Sequence, residues 1–184
     1  MELIKDFKQS KIIKSVFIAL LGTVLLAISS KIKIPFYPIP MTMQTLVVLL
    51  LGITLGWKLG VTTVALYLFE GIIGLPVFSG TPEKGLGIVY FSGPTMGYLI
   101  GFLFTVYFAG SFKFSKNLLI KFLQLLFSTS FIYIFGIAWL GTLIGWEKPL
   151  FQLGVQPFLL AELFKILIVL FSLPKLKKLN LYLK

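Results

Sequence analysis

The stretch "FLLAELFKILIVLFSL", residues 158–173, decides the fold class of this chain. It is an apolar run close to the length that crosses a bilayer, yet it contains Glu162 and Lys165. A charged side chain at the bilayer centre costs about 2.5 to 3.5 kcal/mol on insertion scales, so such residues usually face a protein interior. Because the two residues are three positions apart, they share one helical face and can pair. We therefore predict a membrane helix that turns this pair inward.

The composition of the whole chain is that of an integral membrane protein. Of its 184 residues, 58% are hydrophobic and 12% are charged, and the mean hydropathy is +1.00. Soluble domains are typically about half apolar and about a quarter charged. Three stretches without any charged residue, 34–57, 85–112 and 122–146, each reach the roughly 20 residues that span hydrocarbon. The predicted fold class is an all-α membrane protein.

Missing residue types exclude most enzyme classes. The chain has no Cys, no His and no Arg, which removes thiolate and imidazole metal ligands and the nucleophiles that depend on them. It also has no phosphate-binding loop of the pattern G-x-x-x-x-G-K-[ST], so a partner would have to handle ATP. We predict no catalytic residue, no metal site and no enzymatic activity.

Apolar runs between Pro, Gly and Lys residues predict six transmembrane helices in a single integral membrane domain over residues 1–184. Their approximate bounds are 12–30, 41–56, 58–74, 94–112, 117–145 and 157–173. An alternative for the first is a signal peptide, since Lys11 and Lys14 precede an apolar run that ends in small residues. Five further spans follow, which favours the six-helix bundle.

The lysines predict the orientation. With six helices both termini lie on one side, and twelve lysines fall on that side, against four on the other. The twelve are Lys5, Lys8, Lys11, Lys14, Lys58, Lys113, Lys116, Lys121, Lys175, Lys177, Lys178 and Lys184. The four are Lys31, Lys33, Lys84 and Lys148. The positive-inside rule then places both termini in the cytoplasm.

The three external connections, 31–40, 75–93 and 146–157, are apolar and aromatic rather than solvating. Irregular backbone at a membrane persists only where it is buried in protein or lines a cavity. We therefore predict that these connections form a lid. Glu83 and Lys84 are interpreted as the solvated tip of the second connection.

The Glu162 and Lys165 pair is the candidate binding site. A carboxylate accepts hydrogen bonds and an ammonium donates them, so together they suit a small amphipathic ligand with a polar head. The alternatives are a structural ion pair, or a Lys165 side chain that extends to the membrane surface. Gln44, Glu70 and Tyr98 can line the same pocket, although Glu70 also suits an exposed helix end and Tyr98 an interfacial aromatic belt.

The first predicted helix carries a stripe of small residues on one face. The stripe consists of Ser15, Ala19, Thr23 and Ala27. Small residues let helices approach closely, so the stripe predicts either internal packing or docking of another membrane protein.

Four ordered blocks resemble the BioY family, the biotin-specific S components of energy-coupling-factor (ECF) transporters. They are "IKIPFYPIPMTMQTLVVLLLG" (32–52), "YLFEGIIGLPVFSG" (67–80), "GPTMGYLIGF" (93–102) and "PFLLAELFKILI" (157–168). The resemblance implies an S-component-like bundle in a bacterial plasma membrane that captures biotin from outside. It also implies a transmembrane coupling protein and a pair of cytoplasmic ATPases as partners. ATP would be used only by these partners, so the chain itself would need no cofactor.

The resemblance also implies roles for individual residues. The last helix of the family begins with a block like Pro-Phe-x-x-Gly-Asp-x-x-Lys, whose Asp and Lys contact the ureido head of biotin. Glu162 and Lys165 occupy these positions, with Glu162 in place of Asp and Ala161 in place of Gly. Backbone N–H groups, Gln44 or Ser79 would then meet the biotin carboxylate. The resemblance also favours docking of the coupling protein on the small-residue stripe.

Two alternative functions stay open at this point. One is an S component for a different vitamin. The other is a membrane-embedded, lipid-modifying enzyme that uses Glu70 and Glu162 as acid and base.

Overall fold

A computed structural model describes residues 2–35 and 37–183. Within these ranges the chain is built almost entirely from helices, which confirms the all-α class. The helices are α1 (Glu2–Lys31), α2 (Gln44–Ile72), α3 (Ile88–Phe91), α4 (Met96–Ser111), α5 (Leu118–Ile144), α6 (Leu150–Gly154), a 3₁₀ turn (Gln156–Phe158) and α7 (Leu159–Leu183). Two short strands, β1 (Lys33–Ile34) and β2 (Met41–Thr42), pair antiparallel.

Four segments of the described chain are long and apolar enough to cross a membrane. They are Lys11–Lys31, Gln44–Ile72, Leu118–Ile144 and Leu150–Leu176. A fifth apolar helix, Met96–Ser111, has 16 residues and is therefore about 24 Å long. The chain is thus a membrane protein, with fewer clear spans than the six predicted.

The difference in helix number arises at Gly56, which interrupts α2. Gly56 has φ 75° and ψ 170°, a conformation that a residue with a Cβ rarely adopts. Beyond it the chain folds back, because a Cβ built on Gly60 would lie 3.5 Å from the Gly52 Cα. We call 44–55 the first arm of α2 and 57–72 the second arm. They correspond to the two helices predicted at 41–56 and 58–74.

Glycines bring α4 close to its neighbours. A Cβ on Gly52 would lie 2.7 Å from the Val106 carbonyl oxygen, and one on Gly101 would lie 2.5 Å from the Ile132 Cα. Neither distance leaves room for a side chain, so these glycines let α4 pack directly against the first arm and against α5.

The small-residue stripe of α1 largely faces the interior, which favours internal packing over docking as its role. Ala19 and Thr23 are 3% and 2% exposed, and Ala27 packs against the buried core. Ser15 is partly exposed at the start of the stripe. On the same face, a Cβ on Gly22 would lie 3.3 Å from a Leu51 methyl group of the first arm. Ala19 and Thr23 therefore pack inside the isolated chain, and docking on this stripe stays a prediction.

Of the connections predicted to be external, which keep that name below, the first and second contact each other at one end of the bundle. Ser30, at the end of α1, donates a 2.8 Å hydrogen bond to the Val77 carbonyl of the second connection. The ammonium of Lys31 donates to the Phe78 carbonyl in the same connection at 2.9 Å. Together with the short helices α3 and α6, these contacts cover the end of the bundle at which α7 begins.

Candidate binding site

Glu162 and Lys165 form a buried ion pair near the start of α7. The 3₁₀ turn leads directly into this helix, and Glu162 lies in its first turn, where the helix dipole favours a negative charge. Lys165 follows one turn later, and its Nζ lies 2.6 Å from Glu162 Oε1. The two residues are 4% and 5% exposed, so Lys165 does not extend to the membrane surface.

All three hydrogens of the Lys165 ammonium have acceptors. Besides Glu162 Oε1, Nζ donates to the Thr42 carbonyl oxygen at 2.7 Å and to Thr45 Oγ1 at 2.9 Å. Thr45 in turn donates to Glu162 Oε1 at 2.8 Å. An ammonium has three donors, so a ligand carbonyl could bind Lys165 only by replacing one of these acceptors.

Two polar atoms beside this network have no hydrogen-bond partner among the described residues. They are Glu162 Oε2 and Ser79 Oγ, and both are fully buried. Leaving a buried polar group unsatisfied costs about 1 to 3 kcal/mol, and native proteins rarely do so. The carboxylate oxygen is an acceptor and the hydroxyl can donate or accept. The arrangement is therefore suited to a guest that carries N–H donors.

Glu162 and Ser79 both line a cavity of about 60 Å³. Five of the predicted site residues line it: Gln44, Ser79, Tyr98, Glu162 and Lys165. The remaining lining residues come from the first connection, the first arm of α2, the second connection, α4, α5 and the 3₁₀ turn. They are Ile39, Pro40, Met41, Thr42, Thr45, Tyr90, Thr95, Leu99, Phe102, Ile132, Tyr133 and Phe158.

Glu70 does not line this cavity. It is partly exposed near the end of the second arm, where its backbone carbonyl accepts a hydrogen bond from Leu75. The structure therefore does not bring Glu70 together with Glu162, and the alternative interpretation as a helix-end carboxylate describes its position. Glu162 lines the cavity without Glu70, so the acid and base pair suggested for a lipid-modifying enzyme is not brought together there.

Gln44 and Tyr98 use their polar groups within the protein. Gln44 Nε2 donates to the Tyr67 hydroxyl at 2.7 Å, and that hydroxyl donates to the Val77 carbonyl at 2.9 Å. The Tyr98 hydroxyl donates to the Gly154 carbonyl at 2.9 Å. Gln44, through Tyr67, and Tyr98 thus help to hold the second and third connections in place. The parts of these side chains that are not in these hydrogen bonds line the cavity.

Tyr90 and Tyr133 were not predicted from the sequence, although both line the cavity. Tyr90 lies on α3, stacks on Phe78 with 4.8 Å between ring centroids, and donates to the Ser79 carbonyl at 2.8 Å. Burial raises the pKa of the Tyr90 phenol, which keeps it a neutral donor. Tyr133 lies beside the Glu162 carboxylate. A tyrosine in the middle of a long apolar helix is the one sequence signal that could have found Tyr133.

Comparison with known proteins assigns this chain to a family. The model of the BioY family matches residues 4–181, almost the whole sequence. The chain belongs to the BioY family. Among BioY relatives, a protein of Pyrococcus horikoshii named a probable biotin transporter BioY is 34% identical over 83% of this chain and 89% of its own length. The biotin transporter BioY of Thermotoga maritima is 32% identical over 86% of this chain and 92% of its own length.

A solved structure shares the fold of this BioY-family chain. It is the S-component for biotin from an ECF-type ABC transporter, with a TM-score of 0.75 and 26% sequence identity. The match covers 95% of this chain and 98% of that one. The resemblance drawn from the four sequence blocks is thereby confirmed.

Proposed function

We propose that this chain is the biotin-binding subunit of an ECF-type transporter and takes part in biotin uptake. The observation that carries the proposal is the buried Glu162 and Lys165 pair in the wall of a cavity of a BioY-family chain, with Glu162 Oε2 unpartnered among the described residues. Biotin has a urea head with two N–H donors and one carbonyl, an apolar thioether ring and valeryl chain, and a carboxylate. The chain is a transport subunit and not an enzyme.

Glu162 and Lys165 would bind the urea head in two different ways. Glu162 Oε2 makes no hydrogen bond within 3.5 Å among the described residues, so it accepts from a urea N–H, with the Tyr133 phenol beside the same carboxylate. Lys165 donates to the urea carbonyl after giving up one of its three present acceptors. The apolar side chains of Phe102, Ile132 and Phe158 supply walls for the thioether ring.

Biotin entry requires the external connections to move. The cavity has about 60 Å³, whereas ligand pockets for molecules of this kind have about 300 Å³ or more. Pro40 and Ser79, from the first and second connections, lie in its wall. These connections would act as the lid that opens to admit biotin and closes over it.

The same proposal includes six membrane crossings in one integral membrane domain, residues 1–184. The fold reversal at Gly56 supports counting the two arms of α2 separately. Both termini would lie in the cytoplasm of a bacterial cell, with the protein in the plasma membrane, as the distribution of lysines indicates. The partners would be a transmembrane coupling protein and a cytoplasmic ATPase pair, which would supply ATP-driven energy.

A binding assay on the purified protein tests the proposal. Labelled biotin should bind at nanomolar to micromolar concentrations, and unlabelled biotin should displace it. Thiamine and riboflavin should not displace it. Binding of another labelled vitamin, with no binding of labelled biotin, would favour an S component for that vitamin.

A further inference from the structure

A second cavity lies beside the first one and is open toward the external connections. It has a volume of about 420 Å³, and we call it the vestibule. Its lining residues are Tyr37, Pro38, Lys84, Tyr90, Gly93, Pro94, Thr95, Leu143 and Ile144. Tyr90 and Thr95 also line the cavity that contains Glu162, so these two residues form a shared wall. A ligand longer than the inner cavity would extend past this wall into the vestibule.

Lys84 is the one charged residue that lines the vestibule, within the described part of the chain. Its backbone N–H donates to the Gly80 carbonyl at 2.8 Å. Its stem lies over Gly80, because a Cβ built there would be 2.8 Å from Lys84 Cδ. The ammonium forms no ion pair within 4.0 Å among the described side chains. Lys84 is therefore an exposed cation with no ion-pair partner among the described side chains, and its stem lies over Gly80.

The neighbouring acid does not neutralise this cation. Glu83 exerts its charge on Lys31, whose ammonium is bonded to the Phe78 carbonyl and the Thr81 hydroxyl. Glu83 is not among the residues that line the vestibule. The vestibule consequently combines aromatic and aliphatic walls with a single positive charge, which is complementary to an apolar chain that ends in an anion.

We infer that Lys84 recognises the carboxylate of biotin in the vestibule, an inference that rests on the proposed binding of the urea head at Glu162. The two ends of biotin need different groups on the protein: the urea N–H groups need an acceptor, and the carboxylate needs a cation. Glu162 Oε2 can only accept, and the three donors of Lys165 already have acceptors, so the inner cavity suits the urea N–H groups better than a carboxylate. The molecule therefore enters with its urea first and leaves its anionic end in the vestibule. Lys84 thus selects for a free acid, a role in addition to its exposed position at a loop tip.

The test compares biotin with biotinamide, which lacks the negative charge but keeps the urea, the ring and the chain. Equilibrium affinities are measured for the wild type, Lys84→Gln, Lys84→Arg and the control Lys33→Gln, which removes an exposed external lysine that does not line the vestibule. The wild type should prefer biotin by about fivefold to tenfold, as suits a partly exposed ion pair. Lys84→Gln should lose this preference while keeping its affinity for biotinamide.

The other variants and the salt dependence complete the test. Lys84→Arg and Lys33→Gln should keep the preference. In the wild type the preference should shrink between about 50 mM and about 500 mM NaCl, because salt screens the pair, and Lys84→Gln should show no such change. If Lys84→Gln keeps the preference for biotin, or loses affinity for biotin and biotinamide equally, the role of Lys84 is overturned. Failure of the wild type to bind either ligand overturns the proposed function itself.

Discussion

Gln44 and Tyr67 are joined by a 2.7 Å hydrogen bond although they are 23 positions apart within the range of α2. In a straight helix these residues would be about 35 Å apart, so the bond exists only because the chain reverses at Gly56. The Tyr67 hydroxyl in turn donates a 2.9 Å hydrogen bond to the Val77 carbonyl. One phenol therefore ties both arms of α2 to the second external connection.

Tyr67→Phe should destabilise the protein and weaken biotin binding. The substitution leaves the Gln44 amide N–H without its partner, at a cost of about 1 to 3 kcal/mol for the unsatisfied group. It also removes one of the two hydrogen bonds that the Val77 carbonyl accepts, the other being from Ser30. Thermal unfolding of the purified protein and biotin titration measure the two effects. Tyr107→Phe removes the same atom from a side chain that is 42% exposed, and should change neither quantity. Equal behaviour of the two variants would contradict the structural role of Tyr67.

Glu162→Gln and Lys165→Met should each destabilise the protein strongly, whereas the double variant should regain much of the lost stability. Removing one partner of a buried ion pair leaves the other charge uncompensated, at a cost of about 3 to 5 kcal/mol, but removing both charges is often nearly neutral. Thermal unfolding of the wild type, the two single variants and the double variant completes the double-mutant cycle. Additive losses would show that the pair is not coupled.

Biotin titration of the same double variant separates binding from folding. The variant should be folded but should bind biotin at least about tenfold more weakly, because charge-assisted hydrogen bonds to the urea are lost. Glu162→Asp keeps the carboxylate and should retain measurable binding. Full affinity in the double variant would exclude the pair from the biotin site.

Ser79→Ala should weaken biotin binding without reducing the stability of the ligand-free protein. The Ser79 hydroxyl is buried and has no partner among the described side and main chains, so its removal eliminates an unsatisfied group. The expected loss of affinity is about fivefold, the value of one ordinary hydrogen bond. The control Ser29→Ala removes a buried hydroxyl bonded within its own helix and should leave the affinity unchanged. A less stable Ser79→Ala protein with unaltered affinity would assign the hydroxyl to folding.

Ala19→Leu and Thr23→Leu should lower stability by about 1 to 3 kcal/mol, since both positions are closely packed and overpacking strains a core. Val24→Leu, at a position that is 53% exposed, should be tolerated. Thermal unfolding compares the three variants. If the first two were as stable as the wild type but failed to associate with the coupling protein, the small-residue stripe would be a docking surface after all.

The sequence predicted the fold class and the inward orientation of Glu162 and Lys165 because lipid penalises charge so strongly. It could not show which apolar face of α1 points inward. Lipid tails and a protein core are equally apolar, so hydrophobic periodicity does not distinguish the two sides of a membrane helix. The exposed residues Phe17 and Val24 are as apolar as the buried Leu26. Only the small residues marked the inner face, and they were equally consistent with docking.

The details of the site depended on contacts that leave no pattern in the sequence. The Thr42 carbonyl, a backbone atom, occupies one of the three donors of Lys165. Tyr98 is in the predicted pocket, but its hydroxyl is bonded to Gly154, 56 positions away. Such pairings follow from the way the external connections fold over the helices, which helix spacing alone does not determine.

The reversal at Gly56 also constrains how the protein is made. The first arm of α2 has twelve residues and is about 18 Å long, well short of the roughly 30 Å of hydrocarbon in a bilayer. Alone it would be a poor substrate for the insertion machinery. Paired with the second arm, it forms a helical hairpin whose tip at Gly56 needs no side chain, and we expect the two arms to enter the bilayer together.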